Sequence, residues 1–240
     1  MEKIQTWPYF AEDEIAAVEE VLRSGRVNQW SGDRVAAFED VAAKQFQVPH
    51  ALAVSNGSVA LELALHALGI GSGDEVIVTS RSFVASATCV LLAGAKPVFA
   101  DVDSHSQNIT VEAIEPLITA KTRAVIPVHL AGWPCDMPEI MALAKTKNLL
   151  VIEDCAQAVG AGIDGRPVGS FGDAAAMSFC QDKIISTGGE GGMLLFQEKD
   201  AYERAWQFRD HGKSLDAKKS ATGRVFRFIH DGIGTNLRLP

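Results

Sequence analysis

Cysteine pairs, basic runs and long apolar stretches are all missing from this chain, and each absence removes a class of function. The four cysteines (Cys89, Cys135, Cys155 and Cys180) form no C-x-x-C pair. All lie in apolar or tightly turned contexts, so they read as reduced thiols of a cytoplasmic protein rather than as a disulfide frame. Lysine and arginine total 22 against 30 acidic residues, a net charge of -8, which gives no electrostatic footprint for nucleic acid and no basic helix for a membrane surface. The apolar runs fall short of the roughly 20 residues that span a bilayer. The start, Met1 to Pro8, lacks the charged and apolar regions of a signal peptide. No G-x-x-x-x-G-K-[ST] occurs, and no G-x-G-x-x-G joins a strand directly to a helix, so P-loop and dinucleotide readings fail. No internal repeat or low-complexity segment is visible.

What is present is apolar and rhythmic. Hydrophobic residues make up 47% of 240, enough for a sizeable core in one large or two small domains. Two amphipathic helices lead. Glu12 to Leu22 carries Ile15, Val18, Val21 and Leu22 at helical spacing, and Arg34 to Phe46, capped by Asp33, carries Val35, Phe38, Val41 and Phe46. Strands are expected at His50–Val54, Glu75–Thr79, Lys96–Ala100, Arg123–Val128, Leu149–Glu153, Ala174–Ser178 and Met193–Phe196. Helices are expected between them at Ser58–Leu68, Phe83–Ala93, Val111–Ile118 and Met137–Thr146, with a last one at Asp200–Arg209. Near-continuous apolar strands alternating with helices predict an α/β fold around a mostly parallel seven-stranded sheet, covered by helices on both faces. Turn signals at 160–167 suggest a hairpin-like excursion. Residues 212–223, rich in Lys, Ser and Ala, have the weak periodicity of a mobile loop.

Ligands of such folds sit at the carboxyl ends of the strands. The first strand runs into Ser55-Asn56-Gly57-Ser58, where the N–H groups of Gly57 and Ser58 open a helix as either an ordinary N-cap or a phosphate site. The second runs into Phe83, a core residue or a ring-stacking one. The fifth runs into Asp154-Cys155-Ala156-Gln157. A carboxylate after four apolar residues is costly unless it caps a turn or meets a cation such as a pyridinium N–H. Lys183 stands between an apolar strand and the glycine-rich turn 188–192, an address where partial desolvation favours a nucleophilic amine. Asp101-Val102-Asp103-Ser104-His105 reads as a capped turn rather than a metal cluster. His129 reads equally as a crevice proton carrier or a satisfied core histidine, and Arg209 to Gly212 as a charged helix end. A phosphate cradle, a stacking aromatic, a strand-end Asp and a turn lysine, in that order, are the parts needed to hold pyridoxal phosphate.

In these residues the chain resembles the DegT/DnrJ/StrS-type sugar aminotransferases. The specific blocks are Glu153-Asp154-Cys155-Ala156-Gln157-Ala158 and Ser178-Phe179-Cys180-Gln181-Asp182-Lys183 with Gly189-Glu190-Gly191-Gly192. Ser24-Gly25, Ser55 to Leu65, Ser82 to Ala85, Pro127 to Gly132 and Gly234 to Arg238 add weaker support. The resemblance implies the large domain of a fold-type I pyridoxal phosphate-dependent transferase. Lys183 would be the Schiff-base lysine and Asp154 the pyridinium partner. Gln157 would bond the ring hydroxyl, Phe83 would stack on the ring, and Gly57, Ser58 and Ser178 would hold the phosphate. Asn236 would reach the neighbouring subunit's site in a homodimer. The implied reaction moves an amino group from glutamate or glutamine to a keto-sugar nucleotide. Cys180 stands where many members have histidine. Members also continue into a C-terminal small domain, so residues 1–240 are expected to be the large cofactor domain alone, and a non-catalytic cofactor-binding or regulatory protein is the alternative. The family's dehydratase branch replaces the lysine with histidine, and Lys183 argues against it.

Overall fold

The computed structural model describes residues 7–215 and 229–239. Two helices, α1 (Glu12–Ser24) and α2 (Arg34–Gln45), lead into β1 (His50–Val54) and α3 (Gly57–Ala67). The alternation continues through β2 (Glu75–Thr79), α4 (Ala85–Leu92), β3 (Lys96–Ala100), the short α5 (Val111–Ile114), β4 (Thr122–Ile126), α6 (Met137–Lys147) and β5 (Leu150–Asp154). A small hairpin, β6 (Gly162–Ile163) with β7 (Arg166–Pro167), precedes β8 (Ala174–Ser178), β9 (Gly192–Phe196) and α7 (Lys199–Arg209).

The main sheet has seven strands in the order β1-β9-β8-β5-β4-β2-β3. It is mostly parallel; β9 alone runs against its neighbours β1 and β8. Period-2 alternation sends successive side chains to opposite faces, and the core divides accordingly. Leu52, Val78, Ile152, Ala176 and Leu194 pack with α3, α4 and Trp206 of α7 on one face. Ala53, Met177, Met193 and Leu195 pack towards Phe46 on the other, and Ile77, Val125 and Val151 face α6 through Met137 and Ile140. Both faces are covered, which is why the strands read as unbroken apolar runs.

Several expectations shift. The apolar stripe of α1 buries nothing, with Ile15 at 50% and Leu22 at 65% exposure, and Val41 of α2 also faces outward. Asp33 precedes α2 without a side-chain capping bond. The helix expected from Val111 to Ile118 stops at Ile114 and tightens into a 3-10 turn at Glu115–Leu117, because Pro116 supplies no backbone donor to continue the ladder. Arg209 and Asp210 do not form a solvated helix end. Arg209 is 1% exposed and donates from Nη1 to Glu39 Oε1 at 2.9 Å and to the Ala53 carbonyl at 2.7 Å. Asp210 is fully buried and accepts from Gln29 (3.0 Å), Lys213 (2.9 Å) and Arg238. Charges are tolerated there because each has a partner, and they tie the N-terminal segment, α7 and the final residues together. Most of the expected mobile loop lies outside the described residues.

Candidate active site

The carboxyl ends of β1, β5 and β8 open onto one cavity of about 740 Å³. Gly57, Ser58, Phe83, Asp154, Gln157, Ser178 and Lys183 all line it. Asn236 does not. It is exposed and bridges Asp210 through the backbone.

One end is built from the start of α3. Asn56 is the N-cap, its Oδ1 accepting the Val59 N–H at 2.9 Å while its carbonyl accepts from Ala60. The leading N–H groups, those of Gly57 and Ser58, are left facing the cavity, where the helix dipole favours an anion. Backbones approach closely here. A Cβ on Gly57 would stand 2.8 Å from Ser178 Cβ, and one on Gly192 would stand 2.4 Å from the Asn56 carbonyl carbon. Glycine at both positions is what lets the tips of β8 and β9 bring the Ser178 hydroxyl beside the helix start.

Asp154, the last residue of β5 and 5% exposed, lines the same cavity. Burial pushes its carboxyl above the usual carboxylate range. Hydrogen bonds from Ser86 and the Ala156 N–H, with the nearby Lys183, pull the other way. Gln157 accepts the Ala131 N–H on Oε1 at 2.7 Å, leaving its NH2 group as the donor for a cavity ligand. That contact is held by a left-handed backbone at Ala131 (φ 52°), a conformation non-glycine residues rarely adopt. Phe83 lies in the turn before α4, not in the helix, and its ring is 67% exposed at the cavity wall.

Lys183 lines the same cavity, with its Nζ 2.9 Å from Asp182 Oδ2. The pair holds the Asp182 carboxyl below its ordinary range and has to open before the amine can reach a carbonyl carbon. Cys180 sits nearby with its Sγ 3.4 Å from Glu190 Oε1, and both residues face the cavity.

His129 resolves as the satisfied core histidine. It is fully buried, its Nδ1 accepts the Cys135 N–H at 3.1 Å, and its Nε2 faces Glu153 Oε2 at 3.1 Å. The ring proton is therefore on Nε2. Glu153 also takes the N–H groups of Gly169, Phe171 and Gly172 at 2.7–2.8 Å, so in the His129–Glu153–Cys155 cluster the ring nitrogens of His129 and the carboxylate of Glu153 are committed to hydrogen bonds. The Asp103 turn is likewise capped by the N–H groups of His105 and Ser106. Sequence reasoning missed Ser86, which touches Asp154 directly; its only signal was a hydroxyl four residues after Ser82 on an apolar helix. It also missed Ala131, which no residue-type pattern marks.

Comparison with known proteins bears on this arrangement. A family model described as the DegT/DnrJ/EryC1/StrS aminotransferase family matches residues 8–240. The chain belongs to that family. Among its relatives, GDP-perosamine synthase of Escherichia coli O157:H7 is 44% identical over 208 residues, 87% of this chain and 54% of that protein. UDP-N-acetyl-3-dehydro-α-D-glucosamine 3-aminotransferase of Acidithiobacillus ferrooxidans is 44% identical over 208 residues, 87% of this chain and 53% of that protein. The chain thus spans about half the length of these curated relatives. An aminotransferase from Psychrobacter cryohalolentis superposes with a TM-score of 0.95 at 50% identity, over 98% of this chain and 60% of its own. A provisionally named sugar aminotransferase from Streptococcus pneumoniae, solved in its PLP form, gives 0.87 at 26% identity, over 98% and 62%. The fold is that of the fold-type I aminotransferases, and pyridoxal phosphate is the cofactor these findings indicate.

Proposed function

We propose that this chain is the large, cofactor-binding domain of an aminotransferase that moves an amino group from glutamate or glutamine to a keto-sugar nucleotide. The observation that carries the reading is the single cavity in which a helix N-terminus, a buried strand-end carboxylate, an exposed aromatic ring and a lysine converge. That set fits pyridoxal phosphate chemically. An anion cradle, an acceptor for a ring N–H and an amine all line the one cavity.

In this reading Gly57, Ser58 and Ser178 bind the phosphate, Phe83 covers one ring face, Gln157 donates to the ring hydroxyl, and Asp154 accepts from the ring nitrogen. When bound, pyridoxal phosphate supplies a carbonyl on which amines exchange and a ring that draws electrons from the substrate carbon. Lys183 is the covalent attachment point. Its Nζ, when free, would be the base that takes a proton from the substrate carbon and the acid that returns one. Asp182, 2.9 Å from Nζ, would hold the ammonium form of that side chain.

The names of the relatives support a nucleotide-sugar acceptor, and we extend that to this chain. A homodimer in which Asn236 reaches the partner's cavity completes the proposal. It is supported by the exposure of Asn236 away from its own cavity. A cytoplasmic location accords with the nucleotide-sugar substrate. Among the described residues no helix is long and apolar enough to cross a membrane.

The test is chemical. Borohydride reduction of the cofactor-loaded chain should fix pyridoxal phosphate onto the peptide containing Lys183, and glutamate should convert the bound cofactor to its amine form. A well-folded, loaded protein with Lys183 unmodified would remove the assignment. Cofactor attachment without conversion would favour a non-catalytic role.

A further inference from the structure

Asp154 is the last residue of β5 and almost completely enclosed, and its role above requires it to be charged. Two hydrogen bonds reach its carboxylate. The Ala156 N–H meets Oδ1 at 3.2 Å, and the Ser86 hydroxyl meets Oδ2 at 2.7 Å. Ser86 is itself 2% exposed on α4, and its Oγ lies 2.6 Å from Ser82 Oγ, which lines the cavity. An ionised carboxylate only accepts. Ser86 must therefore donate to Asp154, which leaves its oxygen to accept from Ser82. The two hydroxyls form a chain of fixed polarity, running from the cavity wall to the buried charge.

We propose that Ser86 is a positioning residue that sets the proton affinity of Asp154, with Ser82 reinforcing it, and so decides whether the proton between Asp154 and the cofactor's ring nitrogen rests on the ring. The inference rests on Asp154 being the ring-nitrogen partner. Other groups act on this carboxylate only through space. They are His129 beyond β4 and Lys183, which lines the same cavity, with Cys89 of α4 and Cys155 as buried thiols beside it. Among the described hydrogen bonds, Ser86 is the one side chain that donates to Asp154. A donor to an anion stabilises the anion and strengthens further when its own oxygen accepts a bond. Without that donor, Asp154 binds a proton more tightly and the ring nitrogen less so.

The experiment loads the whole chain with pyridoxal phosphate labelled with ¹⁵N at the ring nitrogen and follows its NMR shift against pH. The parent should show a protonated ring nitrogen through the neutral range, and Asp154→Asn an unprotonated one. Ser86→Ala should move the neutral-range ¹⁵N shift towards that of the unprotonated ring, through a roughly ten- to hundredfold change in the ratio of the two proton positions, the worth of a hydrogen bond to a charged group. Ser86→Thr, which keeps the hydroxyl, should restore the parent shift. Ser82→Ala, at the cavity wall and not buried, should move the shift the same way by a smaller amount. A parent-like shift in Asp154→Asn would overturn the assignment of Asp154 and this inference with it. A protonated parent and unprotonated Asp154→Asn, with parent-like neutral-range shifts in both alanine variants, would leave that assignment standing and overturn the inference alone.

Discussion

Replacing Gly192 by alanine tests whether the anion cradle is set by how closely two backbones approach. The new Cβ would lie 2.4 Å from the Asn56 carbonyl carbon, 2.5 Å from its oxygen and 2.8 Å from the Gly57 nitrogen, where ordinary contact begins at 3.4 Å. About 1 Å of separation must be found between β9 and the start of α3. The strand cannot yield it, because Gly192 is paired with Val54 on one side and Ser178 on the other. The first turn of α3 moves instead, at the ~1–3 kcal/mol typical of an overpacked site. The same movement takes the N–H groups of Gly57 and Ser58 out of the roughly 2.7–3.2 Å window for a hydrogen bond to phosphate. One lost bond to a charged group is worth about 1.5–3 kcal/mol, or roughly ten- to 150-fold in affinity. Equilibrium dialysis with pyridoxal phosphate measures the affinity, and thermal unfolding the stability. Gly189→Ala is the control from the same turn, since a Cβ there meets nothing within 4 Å. Equal cofactor affinity in Gly192→Ala and Gly189→Ala would refute the reasoning, and so would a loss of stability in Gly192→Ala without a loss of binding.

Other consequences are equally open to measurement. Because burial raises the Asp154 carboxyl above its unfolded value, the cofactor-free chain pays a stability penalty that is absent below the unfolded pKa and grows as pH rises through the folded one. Asp154→Asn should therefore melt higher than the parent at neutral pH without cofactor and lose that advantage in acid, while binding pyridoxal phosphate more weakly. Breaking the buried pair by Glu39→Gln, which leaves Arg209 without its anion, should cost about 3–5 kcal/mol in urea unfolding. Burial lifts the thiols of Cys89 and Cys135 to about 12 and that of Cys155 well above the ordinary thiol range, whereas Cys180 is partly exposed, so a thiol reagent should modify Cys180 alone in the native chain. Cys180 lines the cavity, and bound cofactor should slow that reaction; equal labelling with and without cofactor would place the cofactor elsewhere.

Most of the sheet was legible because its strands are buried on both faces and carry no polar interruption. Ala174 to Met177 and Val76 to Val78 could hardly be anything else, and Asp154 stood out as a charge at the end of such a run. The surface helices were less legible. The stripe of α1 predicts a buried face that the described residues do not supply, since periodicity records that a face is apolar but not what covers it. Arg209 and Asp210 misled for the opposite reason. A charged pair after a helix usually meets solvent, and only the fold reveals that Glu39, Gln29 and Arg238, distant in sequence, converge on them. His129 was undecidable because its partners, Cys135 and Glu153, come from a turn and from the neighbouring strand.

Asp154 and Glu153 show how one strand end can serve two purposes. They are adjacent and therefore point to opposite faces of the sheet. Glu153 turns away from the cavity and meets four donors, so its charge is fully used in holding the 169–172 turn and His129. Asp154 turns towards the cavity and, among the described residues, meets two, Ser86 and the Ala156 N–H. A carboxylate has about four acceptor sites, so acceptor capacity remains on Asp154. If stability alone governed this strand end, both acids would be saturated or both would be apolar. The unequal satisfaction of two neighbouring acids supports the proposed role of Asp154, and not Glu153, as the acceptor for a cationic ligand.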